Sequence, residues 1–105
     1  MDTEELLRDA HVLLHPIRYK IIELLMNDSL HISEISNRIQ EDRRLVSYHL
    51  LTLEECGFLE SAYEISYEPK SKGKALRKYK VTDKVGKVIS ELKNRISEIP
   101  NFSSS

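Results

Sequence analysis

The residues whose types and spacing best suit chemistry lie on a helix predicted within the segment 32–59. One side of that helix carries cationic and hydroxyl groups that can bind phosphates and base edges: Arg43, Arg44, Ser47 and Tyr48. The opposite side carries an apolar stripe at helical spacing, formed by Val46, Leu50 and Leu53. A helix that is anchored by one face and polar on the other suits the major groove of DNA. We therefore predict that this helix binds double-stranded DNA.

A second group of candidate ligands for phosphate lies in the segment 70–80, which holds six cations and no acid. The net charge of the whole chain is −1, so a nucleic-acid role depends on this local concentration of charge. The residues expected to reach phosphate or the minor groove are Lys70, Lys72, Lys74 and Arg77, with Lys78 and Lys80 nearer the strand body. The alternative is a solvated basic hairpin without a ligand.

Capping and turn signals divide the first half of the chain into four predicted helices. Asp2 and Glu5 suggest a capping box at the first helix, and Pro16 suits the first turn of the second. Ser33 is expected to cap the third helix, after a brief extended segment at 30–32. Asp42 is expected to cap the fourth helix, which contains the polar face described above, and Gly57 to follow its end.

The second half of the chain changes from helical to alternating periodicity. Residues 58–67 and 76–82 are predicted to be strands joined by a loop that contains Pro69 and Gly73. A last helix follows, capped by Thr82 or Asp83, and residues 101–105 are expected to be a disordered tail. The predicted fold is mostly α with a small β-hairpin, a winged helix-turn-helix (α-α-β-α-α-β-β-α) in a single domain over residues 1–100.

Composition excludes several other classes of protein. The 105-residue chain has no apolar run near the ~18 residues that a membrane helix needs, and its acidic start does not resemble a signal peptide. The single Cys56 cannot form an internal disulfide, which favours a cytoplasmic location. No glycine-rich phosphate loop, catalytic triad or paired carboxylates appear, so we expect neither an enzyme nor a cofactor.

Four segments resemble the ArsR-type winged-helix transcriptional regulators of bacteria and archaea: HPIRYKIIELL, ISEISNRI, LVSYHLLTLEECGFLE and GKALRKYKVTDKV. The resemblance covers roughly residues 13–96. It implies a homodimeric regulator, most simply a repressor, whose recognition helices enter the major grooves of a palindromic operator. The terminal helices would form the dimer interface through Leu6, Leu13, Val85, Ile89, Leu92 and Ile96. The alternative is that the last apolar stripe packs into the chain's own core.

The resemblance also raises alternatives within regulation. Many such regulators sense metals through a cysteine pair, but the matching stretch LHISEI contains none. His11 and His15 are four residues apart and can share a face of the first helix, although a third ligand is missing, so no metal is expected. A redox role is one alternative for Cys56, but packing as a small apolar side chain explains this residue better. His49 is interpreted as a hydrogen-bonded structural residue. The outward-pointing Leu51 and the pI of 6.4 leave open a winged helix used only for protein contact.

Overall fold

The computed structural model describes residues 2–65 and 73–100. Within them lie the helices α1 (Thr3–Leu13), α2 (Pro16–Leu25), α3 (Ile32–Ile39), α4 (Arg43–Glu55) and α5 (Asp83–Ser97). The strands are β1 (Leu30–His31), β2 (Leu59–Ile65) and β3 (Ala75–Val81). The predicted order of elements and the winged helix-turn-helix fold are therefore confirmed. The tail predicted at 101–105 lies outside the described residues.

The helices begin near their predicted positions, but the predicted capping interactions differ from those in the structure. Asp2 occupies the N-cap of α1, but its exposed side chain makes no capping hydrogen bond, so the expected capping box with Glu5 is wrong. Helix α3 begins at Ile32, so its N-cap is His31 rather than Ser33. The backbone N–H of His31 donates to Glu34 Oε1 at 3.3 Å, which satisfies one amide at this helix start.

The three strands form an antiparallel sheet in the order β1-β3-β2. The register of the hairpin runs from Leu59 opposite Val81 to Ile65 opposite Ala75. Strand β1 continues the sheet for two residues on the other edge of β3. Gly57 precedes the hairpin with a φ of 82°, which glycine adopts without steric cost, so the chain can leave α4 and enter β2 directly.

The hydrophobic core is assembled from the inner faces of all five helices and from the sheet. Its side chains with less than 2% exposure include Leu6, Ile21, Ile35, Val46, Leu50, Leu53, Phe58, Val85 and Val88. Part of the apolar stripe of the last helix therefore packs into the chain's own core. This is the alternative to a dimer interface that the sequence left open. Leu6, Leu13 and Val85, expected at that interface, are at most 6% exposed within the single chain.

The terminal helices α1 and α5 pack against each other in antiparallel orientation. Arg95 Nη1 donates to Thr3 Oγ1 at 2.6 Å near one end of the pair. Near the other end, Lys84 Nζ lies 3.6 Å from Asp9 Oδ1 and donates to the Cys56 carbonyl at 2.7 Å. Lys84 thus joins α1, the start of α5 and the end of α4. Among the residues that the structure describes, none of the helices combines the length and the apolar character that a membrane span requires.

Candidate nucleic-acid interface

The turn between α3 and α4 is held by Ser36, which is 8% exposed. Gln40 has a left-handed φ of 54°, and its N–H donates to the Ser36 carbonyl. The N–H of Glu41 also donates to that carbonyl at 3.2 Å, and Ser36 Oγ donates to the Glu41 carbonyl at 2.5 Å. These bonds fix the direction in which α4 leaves the turn. The role of Ser36 was not predicted from sequence, because it depends on a contact with a residue five positions away.

Helix α4 is anchored by its inner face and exposes the opposite one. Val46, Leu50 and Leu53 are 0–1% exposed, which confirms the predicted apolar stripe. The residues of this helix that were predicted to contact DNA lie on its solvent side: Arg43, Arg44, Ser47 and Tyr48. The Tyr48 side chain is 60% exposed, so it is a surface residue rather than a half-buried packing ring.

The start of α4 concentrates positive charge. Arg43 and Arg44 occupy its first turn, which contains no acid. Within the described part of the chain, neither arginine forms an ion pair, and Asp42 at the N-cap makes no side-chain capping bond. Cations at this position face the positive end of the helix dipole, which is unfavourable for the isolated helix. An anion bound there would offset that repulsion and would also bind the free N–H groups of the first turn.

His49 holds α4 against the preceding helices through a buried hydrogen bond. Its ring is 3% exposed, and its Nδ1 lies 3.1 Å from Arg18 Nη1. Because a guanidinium only donates, Nδ1 must accept, and the neutral ring carries its proton on Nε2. Arg18 Nε in turn donates to the Val12 carbonyl at 2.7 Å. The interpretation of His49 as a structural residue is confirmed.

The surroundings of His49 favour its neutral form. Burial lowers the pKa of His49, and the neighbouring His15 and Arg18 lower it further. The His15 and His49 ring centroids are 4.5 Å apart. A proton on His49 would be poorly solvated and would remove the acceptor that Arg18 uses. The hydrogen bond between Arg18 and His49 therefore requires the neutral form of His49.

Cross-strand pairing neutralises part of the basic hairpin. Lys80 Nζ lies 3.2 Å from Glu60 Oε1, directly across the ladder, and Lys78 Nζ lies 3.4 Å from Glu64 Oε2. The segment 70–80 contains no acid, but the partner strand places carboxylates beside two of its lysines. The body of the hairpin is therefore less attractive to phosphate than the sequence suggested.

Arg77 binds to the end of α4. Its Nη2 donates to Glu54 Oε1 at 2.7 Å and its Nε to Ser61 Oγ at 2.8 Å, while Ser61 Oγ donates to Glu54 Oε2 at 2.6 Å. The guanidinium also lies 5.2 Å from the Tyr79 ring centroid. A phosphate would have to compete with this network. Arg77 instead ties the hairpin to the helix, a role that sequence analysis missed.

The remaining hairpin cations are only partly described. Lys74 is exposed and makes no ion pair with any described residue. Lys70 and Lys72, which were also predicted to contact DNA, lie outside the described residues, as does most of the predicted loop between the strands.

The histidines near the start of the chain do not share a helix. Helix α1 ends at Leu13, and His15 is the N-cap of α2, where its Nδ1 accepts from the Ile17 N–H at 3.1 Å. The proposed shared face with His11 is therefore wrong, because Pro16 starts a new helix. No cluster of three or more potential metal ligands occurs in the described ranges. Cys56 is half-buried, and Lys84 contacts its backbone rather than its thiol.

Part of the chain matches a protein-family model. Residues 15–61 match the family model described as "Bacterial regulatory protein, arsR family". The matched segment covers α2, α3, α4 and the start of β2, and so contains the whole helix-turn-helix. A comparison with curated protein sequences gave no match.

Solved structures share the fold at low sequence identity. The chain resembles an ArsR-like transcriptional regulator from Rhodococcus sp. RHA1 (TM-score 0.68, 21% identity, 90% of this chain and 78% of that one). It also resembles the transcriptional repressor BigR from Xylella fastidiosa (0.66, 20%, 93% and 89%). A third is the homodimeric winged helix-turn-helix DNA-binding domain of Mb0332 from Mycobacterium bovis (0.65, 18%, 90% and 81%). At these identities the likeness supports the fold.

Proposed function

We propose that the chain is a regulatory protein of the ArsR family, as the family-model match over residues 15–61 supports. In this proposal it acts in the cytoplasm as a homodimeric repressor of transcription that binds a palindromic operator. In this proposal, residues 1–100 form one DNA-binding domain with terminal dimerisation helices. The observation that carries the proposal is the outward face of α4. It presents cations in the first turn that form no ion pair with any described residue, and hydroxyl groups beyond them, on a helix whose other face is fully buried.

The proposed mode of binding places α4 in the major groove and the hairpin beside it. Arg44, Ser47 and Tyr48 would contact base edges, and Arg43 would contact a phosphate at the helix start. Lys74 would bind phosphate near the hairpin tip, together with Lys70 and Lys72. Arg77 would position the hairpin through its bonds to α4.

The test of DNA binding uses fragments of the source genome and a salt series. We expect a small set of fragments to be enriched by the protein, and log K for such a fragment to fall linearly with log salt. Each phosphate contact contributes a slope of about −0.9 on duplex DNA. Absence of binding at low salt would contradict the proposal and favour a winged helix that contacts protein.

The dimer proposal rests on exposed apolar side chains of the terminal helices. Leu7 and Leu14 of the α1 region are 56% and 62% exposed, and Ile89 of α5 is 44% exposed. Of the residues predicted at the dimer interface, Ile89 is exposed, and Leu92 and Ile96 are half-buried. The other three, Leu6, Leu13 and Val85, are buried within the single chain and support the two helices from inside. The proposed interface is therefore the outer surface of α1 and α5, at Leu7, Leu14, Ile89, Leu92 and Ile96. Burial of this surface by a second copy would remove it from water.

Leu7→Glu is expected to convert the dimer to a monomer, because a carboxylate would be buried without a partner at the centre of the interface. Sedimentation equilibrium at micromolar concentration measures the change in mass. Met26→Glu is the matched control, since Met26 is 55% exposed at the end of α2 and away from the terminal helices. A dimer that survives Leu7→Glu, or equal dissociation in both variants, would contradict this interface.

A further inference from the structure

Leu51 is an apolar side chain on the outward face of α4. It is 55% exposed, whereas its neighbour Leu50 is 1% exposed, so it is not a core residue. It follows Arg44, Ser47 and Tyr48 by seven, four and three residues, spacings that place all four on one stripe of a helix. Leu51 is therefore the apolar member of the surface that the proposed function assigns to DNA.

Charge along this stripe limits how the helix can approach a duplex. Arg43 and Arg44 attract phosphate at the first turn, while Glu55 is exposed at the far end and repels it. Contact is therefore expected over the first two turns of α4 and to end at Leu51. From Arg44 to Leu51 the helix rises about 10.5 Å, or roughly three base-pair steps of about 3.4 Å.

The edges of the bases offer Leu51 one apolar partner. In the major groove, guanine, adenine and cytosine present hydrogen-bonding groups, and thymine adds its C5-methyl group. A leucine placed over a donor or an acceptor would leave that group without its water and without a partner. We propose that Leu51 selects a thymine by packing against its C5-methyl group, about three base pairs from the contact of Arg44. This inference rests on the proposed function, and it specifies one base of the proposed operator.

The test removes the methyl group without changing base pairing. A duplex is selected for binding from random sequences, and each thymine position is replaced in turn by deoxyuridine in both half-sites. We expect one position at which the replacement weakens binding of the native protein, by about fourfold for each methyl group lost and about fifteenfold for the pair. At that position, Leu51→Ala is expected to bind the thymine and deoxyuridine duplexes within about twofold of each other.

The native protein and a matched variant keep the result interpretable. Met26→Ala removes an equally exposed apolar side chain outside α4 and should retain the full deoxyuridine effect. A selected duplex with no methyl-sensitive thymine would overturn the inference, and so would an equal loss in Leu51→Ala. Either result leaves the proposed DNA binding intact. Failure of the native protein to select any duplex would overturn the proposed function as well.

Discussion

Replacing Arg44 and Tyr48 together with alanine is expected to abolish binding to the proposed operator and to leave the fold and the proposed dimer intact. Both side chains lie on the exposed face of α4, and Tyr48 is 60% exposed, so their loss removes little packing. A bidentate arginine–guanine contact alone contributes about 1–3 kcal/mol of discrimination, and a palindromic operator would contain it twice. We therefore expect affinity to fall by a factor of about 100 or more.

Fluorescence anisotropy with the selected operator measures this loss, and circular dichroism and sedimentation report the fold and the dimer. Lys20→Ala combined with Tyr19→Ala is the matched control, because it removes a cation and a tyrosine at exposed positions of α2, outside both proposed interfaces. Operator binding by the control should be unchanged. If the Arg44 and Tyr48 variant unfolds, the two residues are structural, and retention of native affinity would place the DNA contact elsewhere.

Replacing Arg18 with alanine is expected to destabilise the fold by about 3 kcal/mol. The side chain is 8% exposed and donates to both the Val12 carbonyl and His49 Nδ1. Each acceptor left unpaired costs about 1–3 kcal/mol, and the buried stem of the arginine also packs. The loss is a large fraction of the ~5–15 kcal/mol that stabilises a typical domain. Urea denaturation at pH 7.5 measures it, with Arg38→Ala at an exposed position of α3 as the control.

The pH dependence of stability distinguishes this hydrogen bond from simple packing. Because the pKa of His49 is lowered in the folded chain, the unfolded chain binds more protons once the pH falls toward the unfolded value of about 6.5. Stability is therefore complete above that value and is lost as the pH falls toward the folded pKa, by about 1.4 kcal/mol for each unit between the two. Arg18→Ala should flatten this fall, since it removes a neighbouring positive charge. An unchanged slope would show that the pair does not set the pH response.

The elements with strong local signals could be predicted from sequence. The stripe at Val46, Leu50 and Leu53 specifies which side of α4 is buried, so the exposure of Arg44 and Tyr48 follows from helical geometry. In the same way, Pro16 indicated the start of α2 and Gly57 indicated the end of α4. These features depend on residues within one or two turns of each other.

Features that depend on distant residues were not predictable. The pairing of Lys80 with Glu60 requires the hairpin register, and the bond of Arg18 to His49 joins residues 31 positions apart. Leu6 and Val85 belong to apolar helical stripes. The spacing of such a stripe is the same whether it packs against the chain's own core or against a partner chain, because a helix buries an apolar face in both cases. Sequence spacing alone could not separate those outcomes.

The paired lysines of the hairpin affect how the protein would search a genome. Since Glu60 and Glu64 balance Lys80 and Lys78, the strand body contributes little long-range field, and the chain as a whole is close to neutral. Affinity for arbitrary sequence depends mainly on such a field. The protein should therefore dissociate quickly from DNA that lacks the operator. Its binding to the operator should depend more on the contacts of α4 with the bases than on general electrostatic attraction to the phosphates.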